Sequence, residues 1–125
     1  MLQPSWRGPP TQMFSSPRDL ATFLAAELGE LPVDPGLRDA MHWTQQPVFR
    51  ISPRAAQAMA WEVNDFGGPA IVDKPGGLDN ASTYIGMMPS RKIGVVILSN
   101  RGDRYPHEIA REKLLPALER ADSRY

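Results

Sequence analysis

The sequence predicts an α+β domain in which an antiparallel sheet of about four strands follows two helices and precedes a third. Three observations lead to this class. Apolar residues recur at helical spacing in two stretches before residue 45 and in one stretch after residue 105. Runs of strand-forming residues, separated by glycine and proline, lie within residues 58–99. The chain has 125 residues, which suffices for one compact domain with one core.

Residues 1–13 hold little that could enter a core, and three of the first eleven residues are prolines. We therefore expect an extended or disordered lead-in over residues 1–13 and a partial domain over residues 14–125. The first ten residues, "MLQPSWRGPP", contain no apolar segment typical of a secretory signal, so the sequence predicts none in this chain.

Two helices are predicted next, and each has a recognisable start. Ser16 is an N-cap followed by proline, and apolar residues then recur with helical spacing until Gly29, where we expect the helix to end. Asp34 caps a second, shorter helix that we expect to end near Trp43. Residues 44–53 have the composition of a loop.

The predicted strands come from a change of period after these helices. They span residues 58–64, 70–74, 82–88 and 92–99, and residues 89–92 form a hairpin between the last two. The fourth strand, "IGVVILS", is apolar at successive positions, which indicates cover on both faces of the sheet. A last helix over residues 106–121 can cover one face, and Pro116 must kink it or end its regular part. We interpret the charged residues from Arg111 onward as its solvated face.

Composition excludes several classes of partner. Fourteen basic and fourteen acidic residues give no net charge, so we expect neither nucleic acid nor an anionic membrane as partner. Cysteine is absent, and His42 and His107 lack ligand-like spacing, so the sequence predicts neither a metal nor a cofactor. The longest apolar run, residues 93–98, is far shorter than the roughly 20 residues that span a bilayer.

The motif "VDKPGG", residues 72–77, is the main candidate for chemistry. Its two glycines allow a ligand to approach the backbone closely, and Lys74 supplies a point charge suited to a carboxylate. By itself the motif is more typical of a plain β-turn with a solvated lysine, although the residues leave a binding role open.

The whole run over residues 73–101, "DKPGGLDNASTYIGMMPSRKIGVVILSNR", resembles the segment around the Lys-Thr-Gly motif of class C serine β-lactamases and their penicillin-binding and esterase relatives. The positions that match this pattern without a gap are Lys74, Gly76, Tyr84, Pro89, Gly94, Val96, Leu98 and Asn100. Upstream, "SSPRDLATFL" resembles a helix of the family and "QAMAWE" one of its strands. Downstream, "NRGDRYPHEIAREKLLPAL" resembles its closing loop and C-terminal helix. The resemblance implies the C-terminal part of the serine β-lactamase fold.

The resemblance also implies roles for individual residues. Lys74 matches the lysine that binds the substrate carboxylate and adds positive potential at the attacked carbonyl. Gly77 matches the residue whose backbone N–H is one of two oxyanion donors, and Gly76 lies in the same turn. Thr83 matches a position beside the site, and His107 matches the loop that carries a substrate-contacting side chain. The full-length relatives work in the bacterial periplasm.

The departures from the family pattern concern the reaction itself. Pro75 stands where the family has Thr or Ser, and Asp79 and Asn80 stand where two glycines are usual. No serine in the chain has lysine three residues later, and neither Tyr-x-Asn nor Ser-x-Asn occurs. The nearest approach starts at Ser15 and offers Arg18, which cannot act as a base. The chain thus resembles roughly the last third of such an enzyme, without its nucleophile and general base.

Three hypotheses follow for function. The chain is the C-terminal portion of a class C β-lactamase-like hydrolase of β-lactams or small esters, which works only with an N-terminal portion that supplies the nucleophile. Alternatively, it is a non-catalytic remnant that self-associates as a dimer or by strand exchange, through the face of the sheet left bare. The third hypothesis is an unrelated module that binds a small carboxylate.

Overall fold

The computed structural model describes residues 13–122, so the predicted lead-in lies outside the described residues except for Met13. The described chain forms one six-stranded sheet in which each strand pairs antiparallel with the next along the chain. Its strands are β1 (Phe49–Ser52), β2 (Ala55–Gln57), β3 (Glu62–Asn64), β4 (Ile71–Leu78), β5 (Ala81–Met88) and β6 (Ile93–Ser99). The α+β class is confirmed, with six strands rather than four.

Two helices precede the sheet. Helix α1 (Pro17–Glu27) begins at Ser16, whose hydroxyl accepts a hydrogen bond from the Asp19 N–H at 3.1 Å. Helix α2 (Pro35–Thr44) begins at Asp34, whose carboxylate accepts hydrogen bonds from the first two amides inside the helix. The capping residues thus set both starts as the sequence indicates.

The described residues end in a continuous C-terminal helix made of α3 (Pro106–Ile109), a π-helical turn (Ala110–Leu114) and α4 (Leu115–Asp122). The π turn lies directly before Pro116, which has no N–H to donate and whose ring would meet the preceding turn of a regular α-helix. A wider turn at this point lets the helix continue past the proline. No helix within residues 13–122 combines the length and apolarity needed to cross a bilayer.

Two parts of the predicted strand pattern are wrong. The loop expected over residues 44–53 contains strand β1, all four residues of which are exposed. The strand expected over residues 58–64 is shortened to β3, because residues 58–61 form the turn between β2 and β3. Ala60 has a φ of 65° in this turn, and the Gln57 side chain donates hydrogen bonds to the carbonyls of Ala58 and Trp61.

The "VDKPGG" motif is a strand and not a turn. Strand β4 continues through it to Leu78, and its pairing with β5 runs without interruption from Val72↔Met87 to Leu78↔Ala81. The turn falls at Asp79 and Asn80, where the chain departs from the family pattern. Proline and glycine therefore occur here in a strand, a placement that is tolerated where the missing N–H is not needed by a neighbour.

The sheet is covered on both faces, each by a different helix. Helix α1 packs on one face around Leu24, which lies against Gly94 where a side chain would collide with it. The C-terminal helix packs on the other face around Leu115. Helix α2 contacts α1 and has no buried residue of its own, so of the two N-terminal helices α1 is the one that covers the sheet.

Candidate functional site

Strand β4 has an open edge from Lys74 onward. Strand β3 begins at Glu62, which pairs with Asp73, so residues 74–78 of β4 have β5 on one side and no described strand on the other. We call residues 74–78 the free edge. The sequence folds this way because the turn at residues 58–61 delays the start of β3, and β4 therefore extends past its neighbour.

A groove of about 470 Å³ lies along the free edge, within the size range of small-molecule sites. Its lining consists of Lys74, Pro75, Gly76, Gly77, Leu78, Ala81 and Thr83. Four of the five predicted site residues thus come together. His107 does not line this groove; it is half-buried in α3, with its ring edge-on to Tyr105 at 6.1 Å between centroids.

The floor of the groove depends on the absence of a side chain at Gly76. Gly76 pairs directly with Thr83, and a Cβ on Gly76 would lie 2.5 Å from the Thr83 hydroxyl oxygen. Side chains of a strand alternate between faces, so Lys74 points to the same face as this Gly–Thr pair, the face that α1 covers elsewhere. A ligand over Gly76 therefore has the Thr83 hydroxyl beneath it, and the Lys74 ammonium lies at the free edge beside Glu62.

Gly77 has free space around it, since a Cβ placed on it would meet no atom within 4 Å. The direction of its N–H follows from Pro75. The pairing of β4 with β5 is unbroken at Pro75↔Tyr84, although proline has no N–H. This continuity fits an orientation in which the polar backbone groups of residue 75 point away from β5. Backbone direction repeats every second residue of a strand, so Gly77 directs its N–H to the free edge as well.

Lys74 is paired with a carboxylate that the sequence analysis missed. Its ammonium lies 3.5 Å from the Glu62 carboxylate at the start of β3. The Lys74 side chain is 55% exposed, so this ion pair is weak and solvent-screened. Lys74 therefore stays available to an anion that displaces Glu62.

Behind this ion pair lies a buried network centred on Asp73. Arg111 donates two hydrogen bonds to the Asp73 carboxylate, from Nε at 2.7 Å and from Nη2 at 2.9 Å, and also lies 3.5 Å from Glu62. Tyr84 donates its hydroxyl to Asp73 at 2.7 Å, and Asn64 donates its amide at 3.3 Å. No buried side-chain nitrogen or oxygen within residues 13–122 lacks a partner.

The network keeps Tyr84 and Arg111 protonated. Burial, and then the charge and hydrogen bond of Asp73, raise the pKa of Tyr84 well above its usual range, so the phenol donates and does not act as a base. The hydrogen bonds to Asp73 raise the pKa of Arg111 further. Arg111 is not part of a solvated helix face as expected, because its side chain is 18% exposed and clamps β4 to the C-terminal helix.

The network spans 38 residues of sequence between Asp73 and Arg111, which explains why local patterns did not reveal it. The one available signal was an acid between Val72 and Lys74 in a predicted strand, since a buried carboxylate needs a partner. Among residues 13–122, no three histidine, aspartate or glutamate side chains are grouped so that they could hold a metal ion.

Comparisons with known proteins extend this picture. A family model described as Beta-lactamase matches residues 2–118. The human protein beta-lactamase-like 1 is 35% identical over 124 residues, which cover 93% of this chain and 24% of the human protein.

Solved structures share the fold. A class C beta lactamase from Rhodobacter sphaeroides is 26% identical, with a TM-score of 0.68, and the match covers 76% of this chain and 35% of that one. A beta-lactamase/D-alanine carboxypeptidase from Pseudomonas syringae is 22% identical, with a TM-score of 0.69 and coverage of 76% and 35%. The chain thus spans about a quarter of the human relative's length and about a third of the solved ones.

Proposed function

The chain belongs to the beta-lactamase family, and from this premise we propose that it forms the substrate-binding wall of a serine hydrolase that cleaves β-lactams or small esters through an acyl-enzyme. The observation that carries the proposal is the free edge, where Lys74 and the Gly77 N–H border one groove over the small residue Gly76. The family membership alone supports the class of reaction.

The groove supports two tasks. The Lys74 ammonium attracts the carboxylate of a β-lactam and adds positive potential where negative charge develops on the attacked carbonyl oxygen. The N–H of Gly77 is directed to the same edge and can donate a hydrogen bond to that oxygen. Glu62 contacts the ammonium before substrate arrives, at a small cost in affinity because the substrate carboxylate must displace it.

The reaction itself requires groups from another segment. A serine oxygen attacks the substrate carbonyl as a base takes its proton, the C–N or C–O bond breaks, and water then releases the acyl group. The chain contains no Ser-x-x-Lys sequence, and Tyr84 is a protonated donor to buried Asp73. We therefore infer that the 125-residue chain is inactive by itself and that its partner is an N-terminal portion of the same fold.

The test is reconstitution. The chain is co-expressed with the N-terminal two-thirds of a class C β-lactamase, and hydrolysis of a chromogenic cephalosporin is measured for each part and for the mixture. We expect background rates for the separate parts and turnover for the mixture, with a loss of at least 10-fold in Lys74→Ala. Arg54→Ala, which changes an exposed charge outside the groove, is the matched control.

Two outcomes would contradict the proposal. Turnover by the chain alone that Lys74→Ala abolishes would show that it carries its own nucleophile. Turnover by the mixture that is equal in Lys74→Ala and in the parent would show that Lys74 does not bind the substrate.

A further inference from the structure

A second groove lies where the end of α1, helix α2 and the hairpin between β5 and β6 meet. We call this groove, bordered by Glu27, Arg38 and Lys92, the α1–α2 groove; its volume is about 440 Å³, within the range of small-molecule sites. It shares no lining residue with the groove at the free edge. The hairpin that borders it lies at the opposite end of β5 from the residues that pair with the free edge, so the two grooves are separate.

Helix α2 turns a polar side to this groove. Arg38 and His42, and Gln45 directly after the helix, follow helical spacing, so they lie on one side, and all three line the groove. The large apolar residues Leu37 and Trp43 are instead 51% and 67% exposed. A helix that only packs on a domain turns its apolar side inward. The reversed arrangement leaves polar groups at the groove that packing does not require.

Two hydrogen bonds between elements fix the walls of the α1–α2 groove. Gln45, which is 6% exposed, donates its amide to the Glu27 backbone carbonyl at 2.9 Å and to the Glu27 carboxylate at 2.7 Å. Lys92 donates its ammonium to the Leu28 carbonyl at 2.6 Å, from a backbone with φ 58° that is uncommon for a residue with a side chain. Because Leu28 directly follows Glu27, these bonds bring a carboxylate and an ammonium to the same end of the groove.

The opposite charges at this groove do not neutralise one another. None of the ion pairs within residues 13–122 includes Glu27, Lys92 or Arg38. The partner of the Glu27 carboxylate is a neutral amide, and that of the Lys92 ammonium is a neutral carbonyl. Burial raises the pKa of the Glu27 carboxyl, and a cation beside it would stabilise its charged form. Asp39 and His42, both exposed, complete the titratable lining.

We propose that the α1–α2 groove binds a small zwitterion with an apolar side chain, of which a free amino acid such as leucine is the simplest case. Its ammonium contacts Glu27, and its carboxylate contacts Lys92 and Arg38. Ala26 and Pro89 offer apolar lining to the side chain. The two charges of an α-amino acid lie on one carbon atom, which matches an acid and a base held at one end of the groove. This inference does not depend on the proposed hydrolase function.

The test is titration of the natural chain with leucine and with two analogues, followed by backbone amide shifts in NMR spectra. Isocaproate keeps the side chain and the carboxylate but lacks the ammonium, and isoamylamine lacks the carboxylate. We expect saturable binding of leucine, with shift changes at Gly29 and Ser90, which line the groove. Both analogues should bind about 10-fold more weakly or worse, because each loses a hydrogen bond between charged groups.

Two variants assign the charges to residues. Glu27→Gln should remove the preference for leucine over isocaproate, since the ligand's ammonium loses its carboxylate partner. Arg38→Gln should lower the affinity for leucine several-fold, since the ligand's carboxylate loses one of its two cations. Arg18→Gln is the matched control, because Arg18 is an exposed arginine of α1 that does not line the groove, and it should leave the affinity unchanged. Thermal unfolding checks that each variant is folded.

Three results would overturn the proposal. The first is the absence of saturable leucine binding by the natural chain. The second is an affinity for isocaproate equal to that for leucine, which would show that the groove takes an anion alone. The third is a set of leucine-induced shift changes at Gly76 and Gly77 in place of Gly29, which would place the ligand in the groove at the free edge.

Discussion

Replacing Arg111 by methionine tests whether the buried ion pair holds β4 in place. The Asp73 side chain is fully buried, and it would lose two hydrogen bonds of 2.7 and 2.9 Å from the guanidinium while keeping those from Tyr84 and Asn64. Methionine preserves much of the aliphatic packing of arginine, so the loss is mainly that of charge and hydrogen bonds.

The expected magnitude follows from what Asp73 retains. Removing one partner of a buried ion pair costs about 3–5 kcal/mol, since a charge is left without compensation. Two donors remain on Asp73 and Arg111 is partly exposed, so we expect the lower end, about 3 kcal/mol. With a urea slope of about 2 kcal/mol per molar, the unfolding midpoint falls by roughly 1.5 M.

The measurement is urea unfolding followed by tryptophan fluorescence, in a double-mutant cycle. Arg111→Met is compared with Asp73→Asn and with the double variant, and we expect a coupling energy of about 2 kcal/mol because the second change removes the charge that the first leaves unpaired. Arg101→Met is the control: the Arg101–Asp103 pair is as short, at 2.6 Å, but both side chains are more than half exposed, so its midpoint should not move.

Two results would refute this reasoning. A midpoint for Arg111→Met within error of the parent would show that Asp73 is satisfied without the guanidinium. Additive effects in the cycle would show that the two residues contribute separately and that β4 is not anchored through their contact.

Three further predictions concern the groove and α1. Gly76→Ala should lower the melting temperature because the added Cβ meets the Thr83 hydroxyl, and combining it with Thr83→Ala should restore much of the loss. Gly77→Ala, whose Cβ has open space around it, should be near neutral in the same thermal scans. Glu62→Gln should strengthen the binding of benzylpenicillin by a few-fold in NMR titrations, because the ligand's carboxylate no longer competes with Glu62 for Lys74. An unchanged affinity would contradict the role of the Lys74–Glu62 ion pair. Burial raises the pKa of Glu27 above its ordinary value of 4.5, so the stability of the folded state falls as pH rises from 4.5 through the raised pKa. Glu27→Gln should therefore gain stability relative to the parent as pH rises above 4.5 in urea titrations, and a constant difference would count against this prediction.

The sequence predicted the elements whose signals are local. The caps at Ser16 and Asp34 place the starts of α1 and α2, and the proline after Tyr105 marks the start of the C-terminal helix. Strand β1 was missed because it has only four residues, all exposed, and its short Phe-Arg-Ile-Ser alternation lies in a stretch with the composition of a loop. The motif "VDKPGG" by itself indicated Lys74, Gly76 and Gly77 as candidates, and the resemblance to the family added their roles and the candidate Thr83.

What the sequence could not supply is the pairing that arises in three dimensions. Pro75 and two glycines indicated a turn, since these residues interrupt most strands, yet they lie in β4 because its free edge needs no N–H from residue 75. The same lack of a neighbour leaves Gly77 and Lys74 open to a ligand. A strand sequence that appears poorly suited to a sheet is thus suited to this position, where one edge of the backbone faces a groove and not another strand.

The position of Arg111 connects this edge to the rest of the fold. Asp73 is the last residue of β4 that pairs with β3, and the next residue is Lys74, so the ion pair with the C-terminal helix clamps the strand where its second neighbour ends. Without that clamp, residues 74–78 would be held by β5 alone. The buried pair therefore favours a fixed groove wall in the separate chain, and a partner that supplies a nucleophile would meet a surface that is already formed.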